Sequence, residues 1–344
     1  MNPKRLTISA AVVGGGSWGT AIGAWLARNG HDTRIWDIDT SLIRDINETG
    51  FNSRYLPDAR LPDNLRGCES LEQAMEHCQM AVLAVPSRVF RNAVEGVASC
   101  LSLMDGSKPP IVVIGTKGFA QQTGELLSTV AEGFLDASSV IAAISGPSFA
   151  HSVVRGLPTG FDLATKSEDR IEEIANLFRN EVTLVYTTTD ITGVQIGGAT
   201  KNVVAIAAGI ADGLNLGPNA QSLLITRGLA EMNRLNVALG GRPETMMGLS
   251  GLGDLVLTCS GDLSRNRRFG QGLGQGKSVE RVAEEIGQEV EGIQSARETY
   301  EIGRKMNVFM PTTERVYRIV FEGLSPIQAA QELVALGPSL QDRV

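Results

Sequence analysis

LTISAAVVGGGSWGTAIGAWLARNG, residues 6–30, decides the fold. LTISAAVV has strand composition, GGGSWG sets Gly14, Gly16 and Gly19 in a G-x-G-x-x-G spacing, and TAIGAWLARNG reads as the helix that follows. In that context each glycine has a job. Gly14 permits the tight turn, Gly16 lets a pyrophosphate approach the backbone, and Gly19 lets the helix sit close to the strand. The phosphates would rest on the helix N-terminus, where amides and dipole favour anions. A second strand, TRIWD, ends at Asp37, about the distance beyond the glycines at which a carboxylate binds the adenosine ribose. Asp37 would repel a 2′-phosphate and so favours NAD, whereas Arg34 and Arg44 are the residues that could accommodate NADP. A solvated strand-end aspartate, with Asp39 close by, is the plainer reading of the same carboxylate.

Working outward, strand-like runs continue at MAVLAVP, IVVIGTKG, VIAAISGP, TGFDLAT and VTLVYTT, interleaved with helical segments, one opened by a Ser70 and Gln73 capping box. The alternation predicts an α/β fold: a Rossmann-like, doubly wound and mostly parallel sheet over residues 1–190, with ligands at the carboxyl ends of its strands. Lys4 and Arg5 ahead of LTISAAVV imitate a secretory signal, but the apolar stretch is short and runs straight into GGGSWG, which a first strand explains better. Three groups sit at strand ends: Pro86 with Ser87, Lys117 in IGTKGF, and Gly146, Pro147 and Ser148 in ISGPSFA. Lys117 reads equally as an ordinary loop lysine, and Ser148 as a helix-opening cap.

From residue 190 onward strand signals fade, and a mostly α-helical domain is predicted over 191–344. Its GVQIGGATKNVVAIAAGIADG, residues 193–213, is apolar and rich in glycine and alanine, with Lys201 the single charge between Asp190 and Asp212. This predicts a buried helix whose small residues allow close neighbours, and whose glycines, each costing about 1 kcal/mol against alanine, are compensated by tertiary contacts. Lys201 then faces a cleft or a buried partner, unless it snorkels to solvent. Burial disfavours the ammonium and moves such a group toward proton transfer near neutrality. Asp254, between apolar runs in GLGDLVLTC, could orient Lys201, hold a substrate hydroxyl, or cap a helix. SRNRRFG sets Arg265 and Asn266 at a helix start suited to a phosphate monoester. Arg267 and Arg268 read as an exposed basic turn. GQGKS is no P-loop, because the first glycine would fall at Gln271.

Composition narrows the classes. The chain has 344 residues, a formal net charge of −7, 42% hydrophobic and 20% charged residues, which fits two globular domains and argues against a general nucleic-acid binder or a binder of acidic membranes. Cys68, Cys78, Cys100 and Cys259 lack zinc spacing and suit a reducing cytoplasm. His31, His77 and His151 form no metal pair or visible triad, so no metal site is expected. No uninterrupted apolar run approaches the roughly 20 residues of a membrane span. The tail GPSLQDRV is expected to be mobile.

With these pieces in place, the chain resembles the bacterial-type NAD(P)-dependent sn-glycerol-3-phosphate dehydrogenases. GGGSWGTA, GTKGF, ISGPSFA, GVQIGGATKNVVAIAAGIADG, ITRGLAEM, GLGDLVLTC, SRNRRFG and VEG occur in that family's order, nearly end to end. The departures are small: Gly15 for the usual alanine, Thr200 for valine or leucine, and GFDLAT for a more alanine-rich strand. The resemblance implies reversible reduction of dihydroxyacetone phosphate to sn-glycerol 3-phosphate with NAD or NADP, supplying phospholipid synthesis in the cytoplasm. It implies Lys201 as proton donor, Lys117 beside substrate and nicotinamide, and Asp254 offsetting their mutual repulsion. Gly146 and Ser148 would contact substrate, while Ser264, Arg265 and Asn266 would grip its phosphate. Ser17, Trp18, Ile38, Ala150, Arg265, Glu289 and Glu291 would line the dinucleotide site with Gly14, Gly16, Gly19, Asp37 and Lys117. The partner is a phosphorylated small molecule, and a homodimer is left open. Two other readings remain: a related β-hydroxyacid or phosphogluconate-type dehydrogenase, whose substrates are carboxylates, and a dinucleotide-sensing protein without turnover.

Overall fold

A computed structural model describes residues 7–104 and 109–337, so Lys4, Arg5 and the tail beyond Gly337 lie outside the described residues. The chain divides into two compact units. The first comprises the described residues up to Ala120 together with Glu125–Ile144 and Ser148–Ile191, and the second comprises Gln121–Gly124, Ser145–Pro147 and the described residues from Thr192 onward.

The first unit is built on a sheet of β1 (Ser9–Val13), β2 (Asp32–Trp36), β3 (Leu65–Cys68), β4 (Met80–Leu83), β5 (Ile111–Ile114), β6 (Val140–Ser145), β7 (Thr159–Thr165) and β8 (Thr183–Thr188). Their order across the sheet is β3-β2-β1-β4-β5-β6-β7-β8. The recorded pairings are parallel, with Ala10 opposite Thr33 on one side of β1 and opposite Met80 on the other. The central strands β1, β4 and β5 are buried almost throughout, as apolar parallel strands between helix layers are, whereas edge strand β8 leaves Leu184 and Tyr186 exposed. The helices of this unit are α1 (Ser17–Arg28), α2 (Thr40–Thr49), α3 (Leu71–Met75), α4 (Phe90–Ser102), α5 (Leu127–Glu132), α6 (Ala150–Val153) and α7 (Ile171–Phe178). The strand order reverses between β1 and β4, which is where a doubly wound sheet opens its ligand crevice. Ser70 does cap α3, accepting from the Gln73 amide at 3.2 Å, but the Gln73 side chain accepts from the Glu69 amide rather than closing the reciprocal box. Trp25, Phe161 and Phe178 pack edge to face with centroids 4.8–5.8 Å apart, and the Trp25 indole donates to the Phe178 carbonyl at 2.9 Å.

The second unit is helical: α8 (Ile191–Gly213), α9 (Gly217–Ala238), α10 (Pro243–Met246), a π turn at Leu249–Gly253, α11 (Asp254–Ser260), α12 (Arg265–Gly274), α13 (Val279–Ile286), α14 (Glu291–Lys305), α15 (Pro311–Glu322) and α16 (Pro326–Ala335). α8 is its axis. Val203, Ile206 and Ile210 enter a core with Phe269, Leu273, Val316 and Ile319, while Val204, Ala205 and Ala208 enter another with Leu229, Met232 and Leu255. A helix apolar all round belongs inside a protein. By length and composition α8 could cross a membrane, yet its most apolar stretch is wholly buried in the fold.

The glycines of α8 show why alanine would not serve. A Cβ on Gly209 would run into the Arg267 carbonyl and one on Gly213 into the Gln271 carbonyl, while Gly270 and Gly274 of α12 face the Ile206 and Ile210 carbonyls of α8 in the same way. The two backbones therefore touch without side chains between them. Gly209→Ala gains about 1 kcal/mol of helix propensity, but the obstructing atom is backbone and cannot rotate away, and overpacking of this kind costs roughly 1–3 kcal/mol. Urea unfolding of Gly209→Ala is therefore expected to show a lower midpoint than the parent; an unchanged or higher midpoint would contradict the close contact.

Candidate functional site

In the first unit, β1 ends at Gly14, whose φ is +111°, a backbone conformation that favours glycine. Its missing side chain makes room for Ala84 at the end of β4, since a Cβ there would lie 2.6 Å from the Ala84 carbonyl oxygen. Gly19 is required for the helix to approach the turn, because its Cβ would collide with the Gly14 carbonyl. Gly16 differs. It occupies the capping position of α1 with no side chain to cap the helix, and a Cβ on it would meet nothing within 4 Å. Open space above uncapped helical amides is what a dinucleotide pyrophosphate needs, so the residues present fit that group. Ser17 and Trp18 open the helix beside it.

The turn is held from below by a residue that sequence reading passed over. Asn52, fully buried, donates to the Gly15 carbonyl at 2.9 Å and to the Thr20 hydroxyl at 2.8 Å. No pattern marks an asparagine that acts across 37 residues. Asp37 stands at the end of β2, its carboxylate accepting from the Gly15 amide at 2.6 Å and the Asp39 amide at 2.9 Å. Ile38 beside it is 87% exposed. Arg34 and Arg44 are committed elsewhere: Arg34 donates to the Gln73 and Glu76 carbonyls, and Arg44 pairs with Glu69. At the carboxyl ends of β4 and β5, the Trp18 indole donates to the Gly115 carbonyl at 3.0 Å, and the Lys117 ammonium lies 5.8 Å from the centre of the Trp18 ring. Lys117 and Trp18 are thus brought together. Ala150 begins α6, and Phe149 stands in the capping position, so Ser148 precedes the cap rather than forming it.

In the second unit, Lys201 is 6% exposed, and its ammonium donates to Asp254 Oδ1 at 2.5 Å and to Thr258 Oγ1 at 2.9 Å. Asp254 is 1% exposed and is the first residue of α11, with Gly253 in the capping position; its carboxylate holds the lysine instead of capping the helix. The approach again depends on glycine, because a Cβ on Gly197 would strike the Ser250 carbonyl in the π turn that presents Asp254. Single π turns occur frequently at functional sites. Thr258 sits one turn along α11, donating to the Asp254 carbonyl at 2.6 Å while accepting from Lys201. Pro147 lies against Gly253, with its ring about 3.6 Å from a Cβ placed there, which brings the Gly146–Pro147 segment beside Asp254.

Next to Lys201 on α8, Asn202 accepts from the Asn266 side chain at 2.8 Å and donates to Glu291 at 3.4 Å, while Asn266 accepts from the Gly292 amide at 2.9 Å. This chain links α8, the start of α12 and the start of α14. Ser264 caps α12 by accepting from the Arg267 amide at 3.2 Å. Arg265, the first residue of α12, is half-buried and reaches Gln288 at 3.3 Å. Glu289 is exposed in the loop before α14. Arg267 corrects the sequence reading: far from an exposed basic turn, it is bound to Asp212 at 2.7 Å and Asp262 at 2.9 Å, while Arg268 is exposed. Thr258, Asn202 and Gln288 carry no sequence signal, because the side chains they meet at the site, Lys201, Asn266 and Arg265, lie far along the chain.

A glycine turn with open space over helix amides in one unit and a buried lysine held by a carboxylate in the other are consistent with a dinucleotide-dependent dehydrogenase, and the relatives of the chain place it in that class. The family profile described as NAD-dependent glycerol-3-phosphate dehydrogenase N-terminus matches residues 9–171, and its C-terminus counterpart matches residues 190–331. A glycerol-3-phosphate dehydrogenase (NAD(P)+) of Halorhodospira halophila is 44% identical over 96% of this chain and 98% of its own length. One from Colwellia psychrerythraea is 42% identical over 96% and 98%. The crystal structure of a glycerol-3-phosphate dehydrogenase from Coxiella burnetii is 39% identical and superposes with a TM-score of 0.90, covering 95% of this chain and 99% of that one. The chain belongs to the NAD-dependent glycerol-3-phosphate dehydrogenase family and is an NAD(P)-dependent oxidoreductase.

Cys259, on the same helix as Asp254 and Thr258, is not a nucleophile. Burial pushes its thiol up from 9.0 to about 12, outweighing the nearby Lys201 ammonium, and burial does the same to Cys78. The folded chain holds these protons more tightly than the unfolded one, so the stabilisation is complete below about pH 9 and declines as pH rises toward 12. A thiol reagent at pH 8 is expected to leave Cys78 and Cys259 unmodified until urea unfolds the protein, as read by mass spectrometry of the labelled peptides; rapid native labelling of either would contradict this.

Proposed function

We propose that this chain reversibly reduces dihydroxyacetone phosphate to sn-glycerol 3-phosphate, with residues up to 190 carrying the dinucleotide and residues 191–344 the substrate. The observation that carries the reading is the buried Lys201 ammonium, held by Asp254 and Thr258 beside the start of α12. The dinucleotide, when bound, supplies a hydride for the carbonyl carbon. Lys201 Nζ gives a proton to the carbonyl oxygen during reduction and takes it back in the reverse direction. Asp254 compensates the ammonium before transfer, and Thr258 fixes the direction in which it points. Lys117 stabilises negative charge developing on that oxygen. Gly146 and Ser148 line the substrate. Ser264, Arg265 and Asn266 bind the phosphate with the guanidinium and the first turn of α12, and this remote binding positions a small ketone for reaction.

For the dinucleotide, Gly14, Gly16, Ser17, Trp18 and Gly19 take the pyrophosphate end, with Asp37, Ile38, Lys117, Ala150, Arg265, Glu289 and Glu291 around the remainder. NAD is the preferred form. Asp37 is anchored at the end of β2 with its negative charge, Ile38 offers none to oppose it, and Arg34 and Arg44 are spent on α3 and Glu69. The product is a building block of phospholipids, and the four cysteines, all present as thiols, support a cytoplasmic setting.

Two experiments test the proposal. Purified protein should oxidise NADH with dihydroxyacetone phosphate, with kcat/KM for NADH above that for NADPH by roughly tenfold or more, as one opposed charge at a half-buried site would produce. Faster turnover with NADPH would overturn the role of Asp37, and no oxidation with either would overturn the activity. Lys201→Ala should bind NADH normally by fluorescence while losing about 10²–10⁴ of kcat, the range for a lost general acid. Turnover close to that of the parent would remove Lys201 from the mechanism.

A further inference from the structure

α12 lies backbone to backbone on α8 through Gly209 and Gly213 on one helix and Gly270 and Gly274 on the other. Such a contact brings the helices close, and Phe269 and Leu273 of α12 pack with Ile206 and Ile210 of α8 beside it. Polar pins add directional contacts at each end of the seam. Near Lys201 the pin is Asn202 with Asn266, 2.8 Å apart. At the last turn of α8 it is Asp212 with Arg267, 2.7 Å apart. Arg267 is tied at three points: its guanidinium to Asp212 and, at 2.9 Å, to Asp262; its amide to the Ser264 hydroxyl; and its carbonyl against Gly209. Asp212 is steadied in turn by the Gln221 amide at 3.5 Å. With two carboxylates around it, this guanidinium is not the anion-binding one, and residues two apart on a helix do not share a face, so Arg265 and Arg267 point differently.

We propose that Arg267 is a positioning residue for the phosphate end of the substrate, acting through the first turn of α12 and its ion pair with Asp212. The proposal rests on the reading that Ser264, Arg265 and Asn266 bind that phosphate. Loss of the pin lets the α12 start shift against Lys201, and small misplacements of a binding group are costly.

The test is steady-state kinetics at saturating NADH, comparing dihydroxyacetone phosphate with unphosphorylated dihydroxyacetone, on the full chain and on Arg265→Ala, Arg267→Met, Arg267→Lys and Asp212→Asn. Arg267→Met and Asp212→Asn should each raise the KM for the phosphorylated ketone about tenfold with kcat within about twofold, and leave kcat/KM for dihydroxyacetone unchanged. Arg267→Lys, which keeps the charge opposite Asp212, should recover part of the loss. Asp212→Asn is decisive, because removing a negative charge should improve binding of an anion if the effect were only electrostatic, whereas positioning predicts the opposite sign. It also carries the test if Arg267→Met fails to fold. An unchanged or lower KM in Asp212→Asn, or equal losses on both ketones, overturns the proposal. If Arg265→Ala keeps full preference for the phosphorylated ketone, the phosphate-site reading itself fails. If Arg265→Ala loses that preference while Asp212→Asn keeps it, only the positioning role fails.

Discussion

The second unit is organised around one ion pair, the Lys201 ammonium on the Asp254 carboxylate, both almost fully removed from water. A buried pair of this kind loses hydration on both sides and persists only with good geometry and further hydrogen bonds. Thr258 supplies one such bond, accepting from the lysine while anchored to the Asp254 carbonyl. Removing either charged partner would leave the other uncompensated, at a cost of about 3–5 kcal/mol. Once that pair must form, α11 has to reach α8 closely, and a helix rich in side-chain bulk could not allow it.

Glycine is how the chain satisfies that demand. Gly197 lets the π turn ahead of Asp254 touch α8, and Gly209 and Gly213 let α12 do the same further along. Alanine and valine fill the remaining faces, so α8 serves two apolar cores at once and carries a single charged side chain in its interior. The same economy appears in the first unit. There Gly14 and Gly19 allow strand, turn and helix to close on one another, and Gly16 leaves space over the helix amides. In both units the close backbone approaches depend on where side chains are missing.

This explains what could be read from the sequence. The glycine spacing after a strand, the alternation of strands and helices, and a lysine alone in an apolar run are local patterns, and the strands at MAVLAVP, IVVIGTKG and VTLVYTT form where their composition placed them. Arg265 and Asn266 do open α12, with Ser264 as its cap. Other features depend on partners far along the chain. Thr258 meets Lys201 across 57 residues, Asn266 meets Asn202 across 64, and Arg267 meets Asp212 across 55. Nothing near Arg267 in the sequence separates a half-buried clamp from an exposed turn. Asp254 and Ser148 were each open to a capping role on local grounds, and only tertiary placement decides against it. The short Ser145–Pro147 segment belongs to the second unit although it begins with the last residue of β6, a grouping that contiguous reading cannot reveal.

In the proposed mechanism Lys201 and Asp254 work as one charge-compensated group. A double-mutant cycle on kcat with dihydroxyacetone phosphate, using Lys201→Met, Asp254→Asn and both together, tests it most directly. Residues that act as a unit are strongly non-additive. The account predicts that the double variant is no slower than the slower single variant, with NADH affinity retained in all three. Losses that multiply in the double variant would show two independent contributions and contradict it.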